Sequence, residues 1–383
     1  MENVARRITA AERRLLLQVL LHGPVTRAEL SSALDLSTAT IARLARSLID
    51  TGIVDECAPV IHGRARPQVP LDIDPSRAHL LGINLTGTAA TAVLTDMRTR
   101  SVWTGGSPLD STAPDAVARQ VAGLVSSCPR RPAVIGIGLG GSSADGRTVD
   151  RAAYLDWDDV PLADLVEHET GLPCVVSNDV DALAMAEGWF GAASGQDNFN
   201  VVTIGTGIGF AAIRGGQLVR GHDAGLVLGT LPFADPVDGV VLPGNDFATD
   251  RAMVSLYVGL SGAEGGPVSA DSVADLARDG HPAAQQVVRT WARRSGIIIS
   301  TGAAFTLPDL TLLMGERAGF ASKYPDDLLD GLACVRDPTL PVPRVEVVPH
   351  DWASWARGAA VLAIRGLLGL EDAGDHVVQI EAR

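Results

Sequence analysis

Residues 175–209 read VVSNDVDALAMAEGWFGAASGQDNFNVVTIGTGIG. The β-branched run Cys174, Val175 and Val176 stops at Ser177, Asn178 and Asp179, and Val180 to Phe190 then carry small and apolar residues at helical spacing. This is the pattern of a strand that delivers two polar side chains to the mouth of a helix. A second β-branched run, Val201 to Ile204, feeds Gly205-Thr206-Gly207-Ile208-Gly209, a turn whose glycines can take positive φ and present backbone N–H groups to an anion. In layered α/β domains ligands bind at strand tips, so both turns are candidate sites. Either alone is ambiguous, since an Asn-Asp pair also serves as a helix cap and GTGIG as a hairpin turn. Their order predicts an α/β protein.

With 383 residues the chain is long enough for two or three domains. Cys57, Cys128, Cys174 and Cys334 form no CxxC pair, which fits a reducing compartment and no thiolate zinc site. Met1 to Ala10 have charge and no apolar core, and no uninterrupted apolar run reaches the roughly 18 residues of a membrane span; a cytoplasmic protein is expected. Of the 31 basic residues only Lys323 is lysine, a bias of genomic base composition before it is nucleic-acid chemistry. Residues 1–75 balance nine Arg against nine acidic residues, so the remainder carries the whole net charge of −14. An acidic body repels DNA, so any DNA contact must lie in the first 75 residues.

Those residues have the expected pattern. Ala11 to Leu21 form an amphipathic helix ended by His22-Gly23-Pro24, Thr26 caps a second helix, and Ser37 caps a third that runs to about Asp50. Ile41, Leu44 and Leu48 give the third helix its buried stripe, while Ser37, Thr38, Thr40, Arg43 and Ser47 supply short polar groups and a guanidinium on the other side. A recognition helix entering the major groove has this composition near its N-terminus. Ile53 to Val60 and Gln68 to Ile73 read as two strands joined by a loop carrying Arg64 and Arg66. The whole predicts a winged helix-turn-helix with its wing arginines placed to enter a narrow minor groove. A small helical protein-interaction module with a hairpin is the alternative.

GPVTRAELSSALDLSTATIARLARSLIDTGIVDE (residues 23–56) followed by GRARP (residues 63–67) resembles the DNA-binding head of repressors in the ROK family (repressors, open reading frames and sugar kinases), where the wing usually reads GRGRP. The rest of the chain carries the resemblance further. His79–Leu85, Thr91–Thr95 and Arg100–Trp103 read as strands, Ala116–Ser126 as a helix, and Ala133–Leu139 as a strand ending at Gly140-Gly141-Ser142. This is the element order of one lobe of the actin-like ATPase (ribonuclease H-like) fold. A second lobe is expected from Val201, with a hairpin at Gly215-Gly216, helices at Pro282–Phe305 and Trp352–Leu368, and strands at Leu310–Met314 and Arg344–Val348. Ser177-Asn178-Asp179 and Ala186-Glu187-Gly188-Trp189-Phe190-Gly191 resemble the family's ENDAN…AE…G segment, in which Asn holds a sugar hydroxyl and Asp is the catalytic base of the kinases. The resemblance implies three domains, a winged helix-turn-helix at 1–75, an N-lobe at 76–200 and a C-lobe at 201–383.

Departures from the family pattern shape the functional expectation. The kinases end their first strand with DxGGTK, and here it reads Asn84-Leu85-Thr86-Gly87-Thr88; an amide lacks the anionic oxygen that magnesium prefers. The family's AGEIGH becomes Ala224-Gly225-Leu226-Val227-Leu228-Gly229, and its CxCGxxGCLE zinc loop becomes Phe233 to Asn245 without Cys or His. No metal, cofactor or catalytic residue is therefore expected. The reading is a ROK-type transcriptional regulator that binds operator DNA as a homodimer or homotetramer. Gly140, Gly141, Ser142, Asn178 and Asp179 are its candidate ligand residues for a sugar-like effector. The alternatives are a regulator without a small effector, in which Asp179 is a helix cap or an ancestral relic, and a sugar kinase with an added head.

Overall fold

The computed structural model describes residues 9–61, 67–220, 227–262 and 268–369. These fall into two compact units, one running to Asp179 and resuming at Trp355, the other spanning Val180–Ser354. The expected lobe boundary at residue 200 and the expected C-lobe running to the end of the chain therefore differ from the observed division.

The first unit begins with helices α1 (Ala10–His22), α2 (Arg27–Leu34) and α3 (Thr38–Asp50). Thr9 and Thr26 close reciprocal capping boxes with Glu12 and Glu29, and the Ser37 hydroxyl accepts from the Thr40 amide at 3.1 Å. Each cap satisfies donors that a helix start leaves open. Leu15, Leu16, Leu30, Ile41, Leu44 and Leu48 form the core of the head. The wing ladder is shorter than expected, with β1 (Asp55–Glu56) antiparallel to β2 (Leu71–Asp72) and a separate bridge between Val60 and Gln68. Arg64 and Arg66 lie outside the described residues.

A five-stranded sheet follows, built from β3 (Leu80–Leu85), β4 (Ala89–Thr95), β5 (Ser101–Pro108), β6 (Val134–Leu139) and β9 (Cys174–Asn178) in the order β5-β4-β3-β6-β9. Helices α4 (Pro114–Ser127) and α5 (Leu162–Thr170) and the hairpin β7 (Val149–Ala152) with β8 (Trp157–Val160) lie between its strands in sequence. Helix α6 (Asp179–Phe190) starts directly at the end of β9. The second unit repeats the topology with β10 (Phe199–Ile204), β11 (Ile208–Arg214) and β12 (Gln217–Leu218), then β15 (Leu310–Met314) and β16 (Val345–Val347), ordered β12-β11-β10-β15-β16. In both sheets the first three strands pair antiparallel and the last two join in parallel. Between β12 and β15 come the hairpin β13 (Pro232–Ala234) with β14 (Val241–Pro243) and helices α7 (Gly244–Phe247), α8 (Asp250–Ser261), α9 (Ala270–Arg278) and α10 (Pro282–Thr306). Helices α11 (Gly319–Lys323) and α12 (Pro325–Cys334) precede β16. The last helix, α13 (Trp352–Leu368), was expected in the second lobe, but from Trp355 onward it belongs to the first. The glycine-rich faces of β3 and β6 are the reason: Gly82 and Gly136 lie directly under the Ala356 and Ala359 carbonyls.

The head is stitched to the sheet of its own unit by arginine. Asp96 accepts from the Arg98 and Arg100 amides at 2.8 and 2.9 Å, shaping a turn after β4 that presents Arg98. The Arg98 guanidinium donates to the carbonyls of Leu20, Val19 and Gly23 at 3.1, 3.3 and 3.2 Å and to Asp72 at 2.5 Å. One side chain thus satisfies the Leu20 and Gly23 carbonyls, adds a second donor at Val19, which already accepts from the Gly23 amide, and complements the negative dipole end of α1. Arg98→Ala would strand several of these acceptors, at about 1–3 kcal/mol for each one that water does not reach. The expected result is at least about tenfold faster hydrogen exchange of the last-turn amides of α1, with the β3–β6 amides unchanged. Unchanged exchange in α1 would show that Arg98 does not hold the head.

Candidate ligand shelf and DNA-binding head

Strands β3, β6 and β9 end at one level, with Leu85 opposite Leu139 and Leu139 opposite Asn178. The loop Gly140-Gly141-Ser142 leaves β6 beside the polar pair that ends β9, and the Asn178 side-chain amide donates to the Gly141 carbonyl at 2.9 Å. Ser142 pairs with Arg151 of β7, its amide donating at 2.8 Å, while its carbonyl accepts from Asp150 at 2.9 Å. Absence of side chains allows this packing. A Cβ on Gly141 would stand 2.5 Å from the Arg151 carbonyl, and one on Gly138 would stand 3.3 Å from the Asp179 Cα. Gly140 has more room, its Cβ position lying 3.8 Å from the Asp179 carboxylate. Gly140, Gly141, Ser142, Asn178 and Asp179 thus converge on one partly exposed shelf of the first unit. Asn178 clamps the glycine loop.

Two residues into α6, Asp181 is buried in the second unit, where burial pushes its carboxyl up to about 6 while Arg220, at 3.1 Å, opposes the shift. Its acidity and burial were not legible in the VVSNDVDAL pattern, which marked only the first two polar positions.

In the head, Thr38 and Arg43 are exposed on α3 and Thr40 is partly buried. Ser37 and Ser47 are exposed as well, and each also bonds within the head. The Ser37 hydroxyl is engaged by the Thr40 amide and, at 2.9 Å, by the Thr40 hydroxyl. Ser47 serves Glu12 of α1, whose carboxyl is held below its usual range first by a hydrogen bond from Ser47 and then by Thr9.

The ROK family model matches residues 80–365, the span that holds both sheets and the shelf. The chain belongs to the ROK family. It is 28% identical over 330 residues to a putative xylose repressor of a Caldicellulosiruptor species, a match covering 80% of this chain and 82% of that one. Among solved structures, a ROK family transcriptional regulator described as a homolog of the E. coli MLC protein superposes with a TM-score of 0.76 at 22% identity, covering 94% of this chain and 97% of that one. A ROK family glucokinase from Streptomyces griseus, in complex with glucose and AMPPNP, superposes at 0.64 and 27% identity. All of that kinase is matched, but only 75% of this chain.

Within the ROK frame the glycine turn after β10 is not the open anion cradle expected from sequence. Gly205, Gly207 and Gly209 are not among the glycines at positive φ. Gly205 is glycine because the Glu316 carboxylate packs directly against it, and Gly209 because Thr203 and Val180 do. Arg317, next to Glu316, is held by Asp250 at 2.7 Å, and the Asp250 amide donates to the Gly205 carbonyl at 2.9 Å. A carboxylate on this turn repels a phosphate by like charge.

The segment Phe233 to Asn245, expected from the resemblance to depart from a zinc loop, carries an ion cluster. It folds as β13, β14 and α7, and Asp235, fully buried, accepts from Arg293 at 2.6 Å and from Arg294 at 3.3 Å. Arg294, 1% exposed, also donates to Asp238 at 2.9 Å and to the Phe247 carbonyl at 3.2 Å, with its guanidinium 4.8 Å from the Phe247 ring centroid. Burial pushes the Asp235 carboxyl up, but hydrogen bonds from Arg293 and the Val237 amide outweigh it and leave the group below its usual range. Among the described residues no group of three or more His, Cys, Asp or Glu could hold a metal ion. His222, Asp223 and Leu226 lie outside the described residues. Near the end of β3, Asn84 is 1% exposed, and its amide has no hydrogen-bond partner among the described residues.

Proposed function

We propose that this ROK protein is a transcriptional regulator whose head reads operator DNA and whose shelf reads a small hydroxylated effector. The observation that carries the proposal is the three-helix head itself, with Thr38 and Arg43 exposed on α3, held by Arg98 to the sheet whose strand ends form the shelf. Helix α3 enters the major groove, Arg43 meets a base edge, and Arg64 and Arg66 enter the flanking minor groove. Dimers or tetramers place two heads on a palindromic site. Phosphoryl transfer is disfavoured by Glu316 on the glycine turn and by an amide at Asn84. The family name of the xylose repressor relative supports a carbohydrate-responsive regulator, with repression as the mode.

Selection of genomic fragments by the purified full-length protein, followed by titration of the recovered site, tests this reading. Arg43→Ala is expected to lose about 1–3 kcal/mol of discrimination at a single base position. Replacing Arg64 and Arg66 together is expected to weaken all sequences alike and to flatten the salt dependence. Recovery of no common sequence, or a wild-type preference that survives in Arg43→Ala, would refute the assignment of α3. Sugar-dependent ATP turnover abolished by Asp179→Asn would refute the non-enzymatic reading.

A further inference from the structure

Beside the shelf stands an aromatic ring that nothing in the sequence pattern singled out. Tyr154 occupies the turn between β7 and β8, and its backbone is pinned on two sides. Leu155, its neighbour, is 3% exposed and donates from its amide to Ala152 at 3.1 Å; Trp157 is equally buried and donates from its indole to the Thr112 carbonyl at 2.6 Å. The Tyr154 carbonyl lies so close to Gly87 that a Cβ there would come within 2.7 Å. Despite these anchored neighbours the residue is left 61% exposed. Its ring comes within 3.5 Å of the Cβ position of Gly140, the same position that lies 3.8 Å from the Asp179 carboxylate. Ring and carboxylate therefore both border the same glycine.

Single exposed apolar residues are ordinary on protein surfaces. Tyr154 differs in sitting on an anchored stretch of backbone next to converging hydrogen-bonding groups, which is the make-up of a ligand site with an apolar wall and a few polar anchors. An aromatic face attracts another ring in offset or edge geometry. We propose that Tyr154 is the specificity-determining wall of the effector shelf, selecting a glycoside whose hydroxyls meet Asn178 and Asp179 and whose aryl substituent packs on the Tyr154 ring. The proposal rests on the reading of Asn178 and Asp179 as an effector shelf.

The two are separated by calorimetric titration of the full-length protein with matched 4-nitrophenyl and methyl β-D-glycosides of glucose, galactose and xylose. For at least one sugar the aryl glycoside is expected to bind the wild type about three- to tenfold more tightly than its methyl partner. Tyr154→Phe keeps that ratio, Tyr154→Ala brings it close to one, and Asp179→Asn weakens both glycosides while leaving the ratio intact. An aryl preference that survives in Tyr154→Ala, or methyl glycosides binding as tightly as aryl ones, overturns the role of Tyr154 while leaving the shelf in place if Asp179→Asn still weakens binding. Failure of every glycoside to bind the wild type overturns the shelf, and the Tyr154 wall with it.

Discussion

Asp235→Asn is expected to destabilise the protein by about 3–5 kcal/mol, because Arg293 and Arg294 lose the buried carboxylate they share and keep only the partly exposed Asp238. The carboxylate is fully buried and accepts from two guanidiniums and a backbone amide. An amide of the same shape removes the negative charge and presents N–H groups to Arg293 and Arg294, which have only donors to offer. Arg294, at 1% exposure, cannot turn to water without unpacking from Phe247, Phe247 stacks on Phe233 at 5.8 Å between centroids, and the β13–β14 hairpin depends on both. For a chain of this size the loss corresponds to a fall of about 4–6 °C in the melting temperature. The Asp235→Leu, Arg294→Met double variant should recover much of it, since apolar replacement of a buried ion pair is often neutral. Because Asp235 titrates below the usual range, its contribution is present above the unfolded-state carboxylate pKa near 3.9 and is lost as the pH falls through the lower folded value. Thermal unfolding of the three proteins at neutral pH decides the matter. A variant melting within 2 °C of the wild type would mean that the cluster does not hold the β13–β14 hairpin on α10.

That cluster also marks where sequence reading stopped. The missing thiolates of the zinc loop could be seen directly, because an absent Cys needs no partner to be read. The replacement could not, because Asp235 and Arg294 are 59 residues apart in sequence and meet only through the packing of the hairpin on α10. Local features fared better. The helix starts at Thr26 and Ser37 follow from side chains that bond backbone amides within three residues, and the strand ending at Asn178 follows from one alternation and one polar stop. The terminal helix was legible as a helix, since its periodicity is local, but its unit was not. Tyr154 escaped for the opposite reason. A lone tyrosine in a turn has no period, and its proximity to Gly140 arises from the β7 bridge to Ser142.

Gly136→Ala, a change of one methyl group, is expected to cost about 3 kcal/mol, at the upper end of ordinary overpacking. Gly82 and Gly136 are register partners on neighbouring strands, and α13 lies across them with Ala356, Ala359, Ala360 and Ala363 all fully buried. A Cβ on Gly136 would fall on the Ala359 carbonyl and stand 2.9 Å from the Ala359 carbonyl carbon and 3.1 Å from the Ala363 amide nitrogen. These are backbone atoms of a helix, so no rotamer change relieves the collision; either α13 lifts or β6 bends. Gly138, two residues on and hence on the same face, continues the close approach against the first residue of α6. The G-I-G alternation thus seats the terminal helix first and the ligand shelf next, and damage to the former should reach the latter. Gly123→Ala is the control, because that glycine lies within α4 with nothing within 4 Å of its Cβ position; there the same methyl should stabilise by about 0.5–1 kcal/mol. Opposite signs for the two changes in denaturant unfolding are the expected result. Equal effects would show that α13 does not rest on the glycine face.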